Sequence, residues 1–344
     1  MSLSRRALVA SAAGFGLAGG LLSSGRLAAE DRRYFRIAAG SSAGVYYPLA
    51  GLIAAAISNP GGRASCQIGG LCGVPGLIAL AQSSGGSIDN LELLLSGRVE
   101  SGLCQADIAQ RAFVEGLSER AMPPAEDLRV LAHLYEEYLH VVVRADAGIR
   151  RMTDLAGKRL SVGPLGSGTR NDALILLAAA GLSAEELELL DLPSVAAAAA
   201  LRAGELDGFL LISGAPANAV TSLADRHLVK LLPVEGDIAE AVLDQRPSLH
   251  RAAVEPGLYS GIGFTPTLAT GALWLTTEAL GAELAYRLTR ALWSEATANF
   301  LAGSRLAPAR QMSRAQALQG VGAPPLHPGA ALYYDQVGLL EEST

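Results

Sequence analysis

The sequence predicts an α/β protein of two similar lobes joined by a two-strand hinge, and three observations carry that reading. First, "RIAAGSSAG" (Arg36 to Gly44) recurs in outline as "RLSVGPLGSG" (Arg159 to Gly168). Each is a basic residue, a short apolar strand, a glycine and a small-residue turn that opens a helix. Second, "LLSGRVESGLCQ" (Leu94 to Gln105) and "LRAGELDGFLLI" (Leu201 to Ile212) share a helix end, a glycine C-cap, an acidic turn residue and an apolar strand. Two matches in the same order and at similar separation predict two similar lobes facing each other. Third, "LHVVVRAD" (Leu139 to Asp146) and "GALWLTT" (Gly271 to Thr277) lie outside the repeats and have strand composition. They assign residues 30–143 and 270–344 to one lobe and residues 144–269 to the other. The return to the first lobe is built on one helix over "ALGAELAYRLTRALWSEATANF" (Ala279 to Phe300).

Residues 1–29 stand outside this scheme. A basic start at Arg5 and Arg6, an apolar Ala/Gly/Leu run and small residues at Ala28 and Ala29 read as an export signal cleaved near Ala29. The paired arginines leave twin-arginine and general secretion both open. Loss of Arg5, Arg6 and Arg26 takes the net charge from −6 to −9, because residues 1–29 contain no acid. An acidic exported chain of this length argues for a periplasmic location and against a nucleic-acid partner, which selects a basic face. No later segment is long, apolar and uncharged enough to span a bilayer.

In an oxidising compartment the three cysteines divide by spacing. Cys66 and Cys72 flank "QIGGL", a short loop that can close into a disulfide, which leaves Cys104 as a small apolar residue inside the buried strand "VESGLCQ". No Cys or His stands at metal-ligand spacing, so no metal is expected. The chain also lacks the patterns of catalysis. G-x-S-x-G fails at Ser167, where Leu165 stands two before it, and at Ser87, where Asp89 stands two after. A phosphate-binding loop fails because Met152 holds the place of its first glycine. The five histidines read as surface or packing residues. Adjacent Glu136 and Glu137 read as a solvated turn between strands. No enzyme activity and no cofactor are expected.

What remains is a set of small hydrogen-bonding groups where strands hand over to helices. "GSSAGVYYP" (Gly40 to Pro48) follows one strand and opens an apolar helix, and in open α/β sheets ligands bind at such strand ends. "SSGGSIDNLELL" brings Ser87 and Asn90, as helix cap or as ligand contact. "CQAD" brings Gln105 and Asp107. "PLGSGT" brings Gly166, Ser167, Gly168 and Thr169, whose N–H groups can cradle an anion. "ISGAP" brings Ser213, Gly214 and Pro216 after the matching strand of the second lobe. A ligand with one or two carboxylates suits such loops meeting at a cleft that closes on its guest.

At these residues the chain resembles the TAXI family of solute-binding proteins, the receptors of TRAP-type transporters. The resemblance covers most of the mature chain. It rests on "AGSSAGVYYPLAG", "CGVPGLIALAQSSGGSIDNL", "QADIAQRAF", "VLAHLYEEYLHVVVRADAGIRRMTDLAGKRLSVGPLGSGT", "ELDGFLLISGAPANAV" and "PPLHPGAALYYDQ". It implies a type II periplasmic-binding-protein fold, a ligand such as glutamate, 2-oxoglutarate or a related organic acid, and delivery to a TRAP permease in the membrane. The ligand positions it implies are Ser41, Gly44, Val45, Tyr46, Ser87, Asn90, Gln105, Ser167, Gly168 and Thr169. Gly214 joins them from the "ISGAP" loop, and Tyr46 or Tyr47 packs on the ligand's carbon chain. A monomer is expected. Two rivals of other classes stay open: a sensor or scaffold that binds ligand without transport, and an exported transferase-like enzyme of the same fold.

Overall fold

Twelve strands are present among the residues described by the computed structural model, 32–61, 71 and 73–340. They are β1 (Arg33–Ala38), β2 (Ser58–Asn59), β3 (Val74–Pro75), β4 (Leu77–Gln82), β5 (Ser101–Gln105), β6 (Leu128–Arg144), β7 (Arg159–Ser161), β8 (Glu188–Leu190), β9 (Gly208–Ser213), β10 (Val229–Leu232), β11 (His250–Val254) and β12 (Thr265–Thr277). The helices are α1 (Tyr46–Ile57), α2 (Ser87–Leu95), α3 (Ala106–Val114), α4 (Gly168–Ala179), α5 (Ser194–Ala203), α6 (Asn218–Ala224), α7 (Gly236–Gln245), α8 (Ala282–Leu292), α9 (Glu295–Ala302), α10 (Ala307–Gln311) and α11 (Pro328–Gln336). The expected export signal and the expected Cys66–Cys72 bridge lie outside the described residues, while Cys104 is buried and free.

The sheet runs β4-β1-β5-β12-β6-β9-β7-β8, with β10 on β6 and β11 on β12. Its two ends repeat one motif: β1 lies parallel between β4 and β5, and β7 lies parallel between β8 and β9. The two long strands join them. Residues 128–138 of β6 pair with β12, whereas 138–143 pair with β9. In β12, residues 265–269 pair with β11 and 272–275 with β5. The outcome is two similar α/β lobes that share two crossing strands.

The duplication extends to an ion pair. Arg36 donates from its backbone N–H, Nε and Nη2 to Glu100, at 2.6, 3.1 and 2.6 Å. Arg159 donates from the same three groups to Asp207, at 3.0, 3.2 and 2.9 Å. In each lobe the basic residue of the first repeated strand therefore clamps the acid that precedes the third strand of its motif. Hydrogen bonds from the guanidinium and backbone N–H of Arg36 and Arg159, with their positive charge, hold Glu100 and Asp207 below the ordinary carboxylate range, against the upward pull of burial.

Alternation of side chains covers both faces of each half-sheet. In the first lobe, Phe35, Ile37, Leu103 and Trp274 pack under α1 and α8, while Ala38, Cys104, Leu273 and Leu275 pack under α2 and α3. In the second, Val141, Val143 and Leu210 face α4 and α7, while Val142 and Phe209 face α5 and α6.

Two expectations are corrected. Glu136 and Glu137 are not in a turn: they lie in the middle of the 17-residue β6. The strand carries them because their carboxylates find partners, Glu136 at His133 and His250, Glu137 at Tyr46 and Tyr135. The single helix over 279–300 is two, α8 and α9. Ser294 breaks it by capping α9, its hydroxyl accepting from the Thr297 N–H at 3.2 Å.

Candidate functional site

The carboxyl ends of β1, β4 and β5 and those of β7 and β9 face one cavity of about 160 Å³ between the lobes. Topology explains the placement: each strand end turns into a helix, so the first turns of α1, α2, α4, α5 and α6 line the space. First-turn N–H groups have no intrahelical acceptor and carry the positive end of the helix dipole. Side chains do not cap α1, α2, α5 or α6. At α4, by contrast, Ser167 caps, accepting from the Arg170 N–H at 3.1 Å and donating to the Pro164 carbonyl at 2.7 Å.

Of the eleven ligand positions expected from the sequence, nine line the cavity: Ser41, Gly44, Val45 and Tyr46 before and at α1, Ser87 at α2, Gln105 at the end of β5, and Ser167, Gly168 and Thr169 at α4; Ser213 and Pro216 of the "ISGAP" loop line it too. Several of their side chains are occupied within the protein. Ser87 Oγ accepts from the Gln105 N–H at 3.1 Å, and Thr169 Oγ1 accepts from the Ile212 N–H at 3.1 Å. Gly168 lies so close to the Gln105 carboxamide that a Cβ there would overlap it. Asn90 and Gly214 stand behind the wall. The Asn90 amide donates to the carbonyls of Ala39 and Leu103 and its Oδ1 accepts from Ser84, a brace between β1, β5 and the loop before α2. Gly214 packs on the Tyr135 ring and Pro308.

The lobes touch around this cavity. The N–H groups of Ile88 and Asp89 donate to the Gly166 carbonyl at 3.1 and 3.2 Å. Behind Gln105, its Nε2 donates to Asp172 Oδ2 at 3.0 Å, with Arg246 Nε 3.5 Å from Oδ1. Burial raises the carboxyl groups of Asp172 and of neighbouring Asp107 above the ordinary range.

The sequence reading missed three parts of the wall. Leu192, Pro193 and Ser194 open α5 there, and Leu306 to Pro308 close one side. The Pro-Ser step before "VAAAAALRA" was the available signal for the first. The third is Glu137, 3 % exposed, whose Oε2 accepts from the Tyr46 hydroxyl at 2.6 Å and Oε1 from the Tyr135 hydroxyl at 3.1 Å. Burial outweighs these two hydrogen bonds and raises its pKa to about 8. Adjacent Glu136 has the opposite fate: burial pushes it up, but the imidazoles of His133 and His250, each 3.3 Å from its carboxylate, prevail and lower it to about 2. No Lys, Arg or His lines the cavity among the described residues, and no cluster of three or more potential metal ligands occurs among them.

Among solved structures, the chain is similar to the alkanesulfonate-binding protein SsuA from Xanthomonas axonopodis pv. citri bound to MOPS, at 16 % identity and a TM-score of 0.45 over 90 % of this chain and 92 % of that one. A protein from Bordetella bronchiseptica RB50 matches at 17 % identity and 0.49, over 91 % and 83 %. The periplasmic aliphatic sulphonate binding protein SsuA from Escherichia coli matches at 15 % identity and 0.44, over 90 % and 87 %. The chain itself forms two α/β lobes that share a pair of crossing strands. A match to the NMT1-like family spans residues 37–338, and this chain belongs to that family.

Proposed function

We propose that this protein is an extracytoplasmic solute receptor of the TAXI type, which closes its lobes on a small organic acid and hands it to a TRAP-type permease. The observation that carries the reading is the cavity into which uncapped helix N-termini point from both lobes, α1 on one side and α5 on the other. Partial positive charge without a competing side chain is suited to an anion. Glutamate, 2-oxoglutarate and related carboxylates are the ligands that the sequence resemblance favours. The export signal over residues 1–29 supports a periplasmic location, and the acidic net charge of −6 offers nothing to nucleic acid.

In this reading residues 30–143 with 270–344 form one lobe and residues 144–269 the other, and the chain acts as a monomer. The changes of partner strand at Tyr138 and Ala269 support boundaries close to these. Ser41, Gly44, Val45, Tyr46, Ser87, Gln105, Ser167, Gly168 and Thr169 form the contact wall. Asn90 and Gly214 act from behind it, holding the backbone and the Tyr135 ring in place. No turnover is part of this role.

A thermal-shift screen of refolded residues 30–344 tests it, against amino acids, keto acids, dicarboxylates and alkanesulfonates. Refolding removes any bound ligand. A ligand at about 100 times its dissociation constant adds about 2.7 kcal/mol to stability, so one acid is expected to raise the midpoint by several degrees. A flat response to every anion, with a rise for a neutral compound, defeats the anion reading.

A further inference from the structure

We infer that Glu137 carries a proton when the cavity holds its anion, and that it governs anion affinity by setting which way the Tyr46 hydroxyl donates. The inference rests on the anion reading above and names a specificity-determining pair within it.

The geometry leads there directly. Glu137 is an acid in the wall of a cavity proposed for anions, and its carboxylate oxygens meet two tyrosine hydroxyls rather than a cation. The groups that weigh most on Glu137 bring no positive charge. Tyr46 comes from α1, Tyr135 and Glu136 from β6 itself, Cys104 from β5 and Asp107 from α3. From β12, Thr270 stands opposite Glu137 and turns its hydroxyl to Asp107, 3.3 Å away. Asp107 and Glu136 both oppose ionisation of Glu137.

A tyrosine hydroxyl has one proton to give. When Glu137 is ionised, Tyr46 spends that proton on Oε2 and turns lone pairs toward the cavity, beside a negative charge. When Oε2 is protonated, Glu137 donates to the Tyr46 oxygen instead. The Tyr46 proton is then free for the cavity that Tyr46 lines, while Tyr135 continues to donate to Oε1. One proton taken from solvent thus removes a repelling charge and supplies a donor, both in favour of an anion.

The pH dependence follows by linkage. Anion binding raises the Glu137 pKa further, above about 8. Below that value Glu137 is protonated with or without ligand, and affinity is flat. Above it each pH unit costs about tenfold in affinity, until the pKa of the bound state is reached.

Titration of the mature chain with 2-oxoglutarate from pH 6 to 9.5 reads this out, because both carboxyl groups of that probe stay ionised throughout. If 2-oxoglutarate does not bind, the tightest screened acid without an amino group replaces it. The expected result is constant affinity to pH 7.5 and a loss of at least about tenfold by pH 9.5. Calorimetry in buffers of different ionisation enthalpy should show proton uptake on binding at pH 8.5 and none at pH 6.5. Glu137→Gln should bind as tightly at pH 9.5 as at pH 7, and Tyr46→Phe should bind more weakly at pH 7 and lose less affinity as the pH rises, because only the repelling charge of Glu137 is then left to act. Acid binding with no fall to pH 9.5 and no proton uptake overturns this inference and leaves the receptor reading standing. Failure of every acid to bind at pH 7 overturns both.

Discussion

Gly86→Ala is expected to weaken ligand binding at least about tenfold, a cost of about 1.4 kcal/mol. Two penalties act at this position. Gly86 is the N-cap of α2 with φ 137° and ψ −152°, a region essentially confined to glycine, where a side chain costs about 1–3 kcal/mol. A Cβ there would also stand 2.9 Å from Ser167 Cα in the opposite lobe. The first penalty falls on the loop wherever the lobes are, and lowers the melting temperature of the empty chain. The second applies only when the lobes meet, and it weakens binding. Calorimetric titration with the stabilising acid separates them from a simple folding defect when read beside the melting temperature. An unchanged dissociation constant would show that Gly86 and Ser167 do not meet in the loaded form.

Trp274→Ala is expected to cost about 3–5 kcal/mol of stability, a large share of the ~5–15 kcal/mol typical of a folded domain. Trp274 lies fully buried on β12, the strand that returns the chain to the first lobe. Its ring meets Phe35 of β1 edge-on at 6.4 Å, and its Nε1 donates to Ser101 Oγ of β5 at 3.0 Å. Truncation empties a cavity among β1, β5 and β12 and leaves the buried Ser101 hydroxyl with only a long hydrogen bond to the Arg36 carbonyl, 3.5 Å away. Urea unfolding followed by circular dichroism measures the loss, since the indole itself has been removed. A loss under about 1 kcal/mol would contradict the packing described here.

The duplication was legible because each copy solves the same local problem with the same residues. Arg36 with Glu100 and Arg159 with Asp207 recur at matching places in their lobes, so the ion pair left a trace in the sequence. The strand-to-helix loops were legible for a similar reason, since Gly and Ser gather where backbone must turn and helices must start. Glu137 was not legible. Its partner Tyr46 is 91 residues away, and adjacency to Glu136 suggested a polar turn. Tertiary contacts hold both acids within a strand that local composition did not support. Asn90 sits in one of the singled-out motifs, yet its carboxamide is spent on the carbonyls of β5 and of Ala39 after β1, which only the assembled sheet brings within reach.

Native mass spectrometry of the refolded mature chain tests the central claim, that the cavity captures one small anion, most directly. After incubation with each screened acid in turn, a single adduct of one ligand per chain is expected for one acid or a close group of acids. The matching amide, which keeps the shape and removes the charge, is expected to give none. Equal adducts with acid and amide, or no adduct with any acid, would contradict the claim.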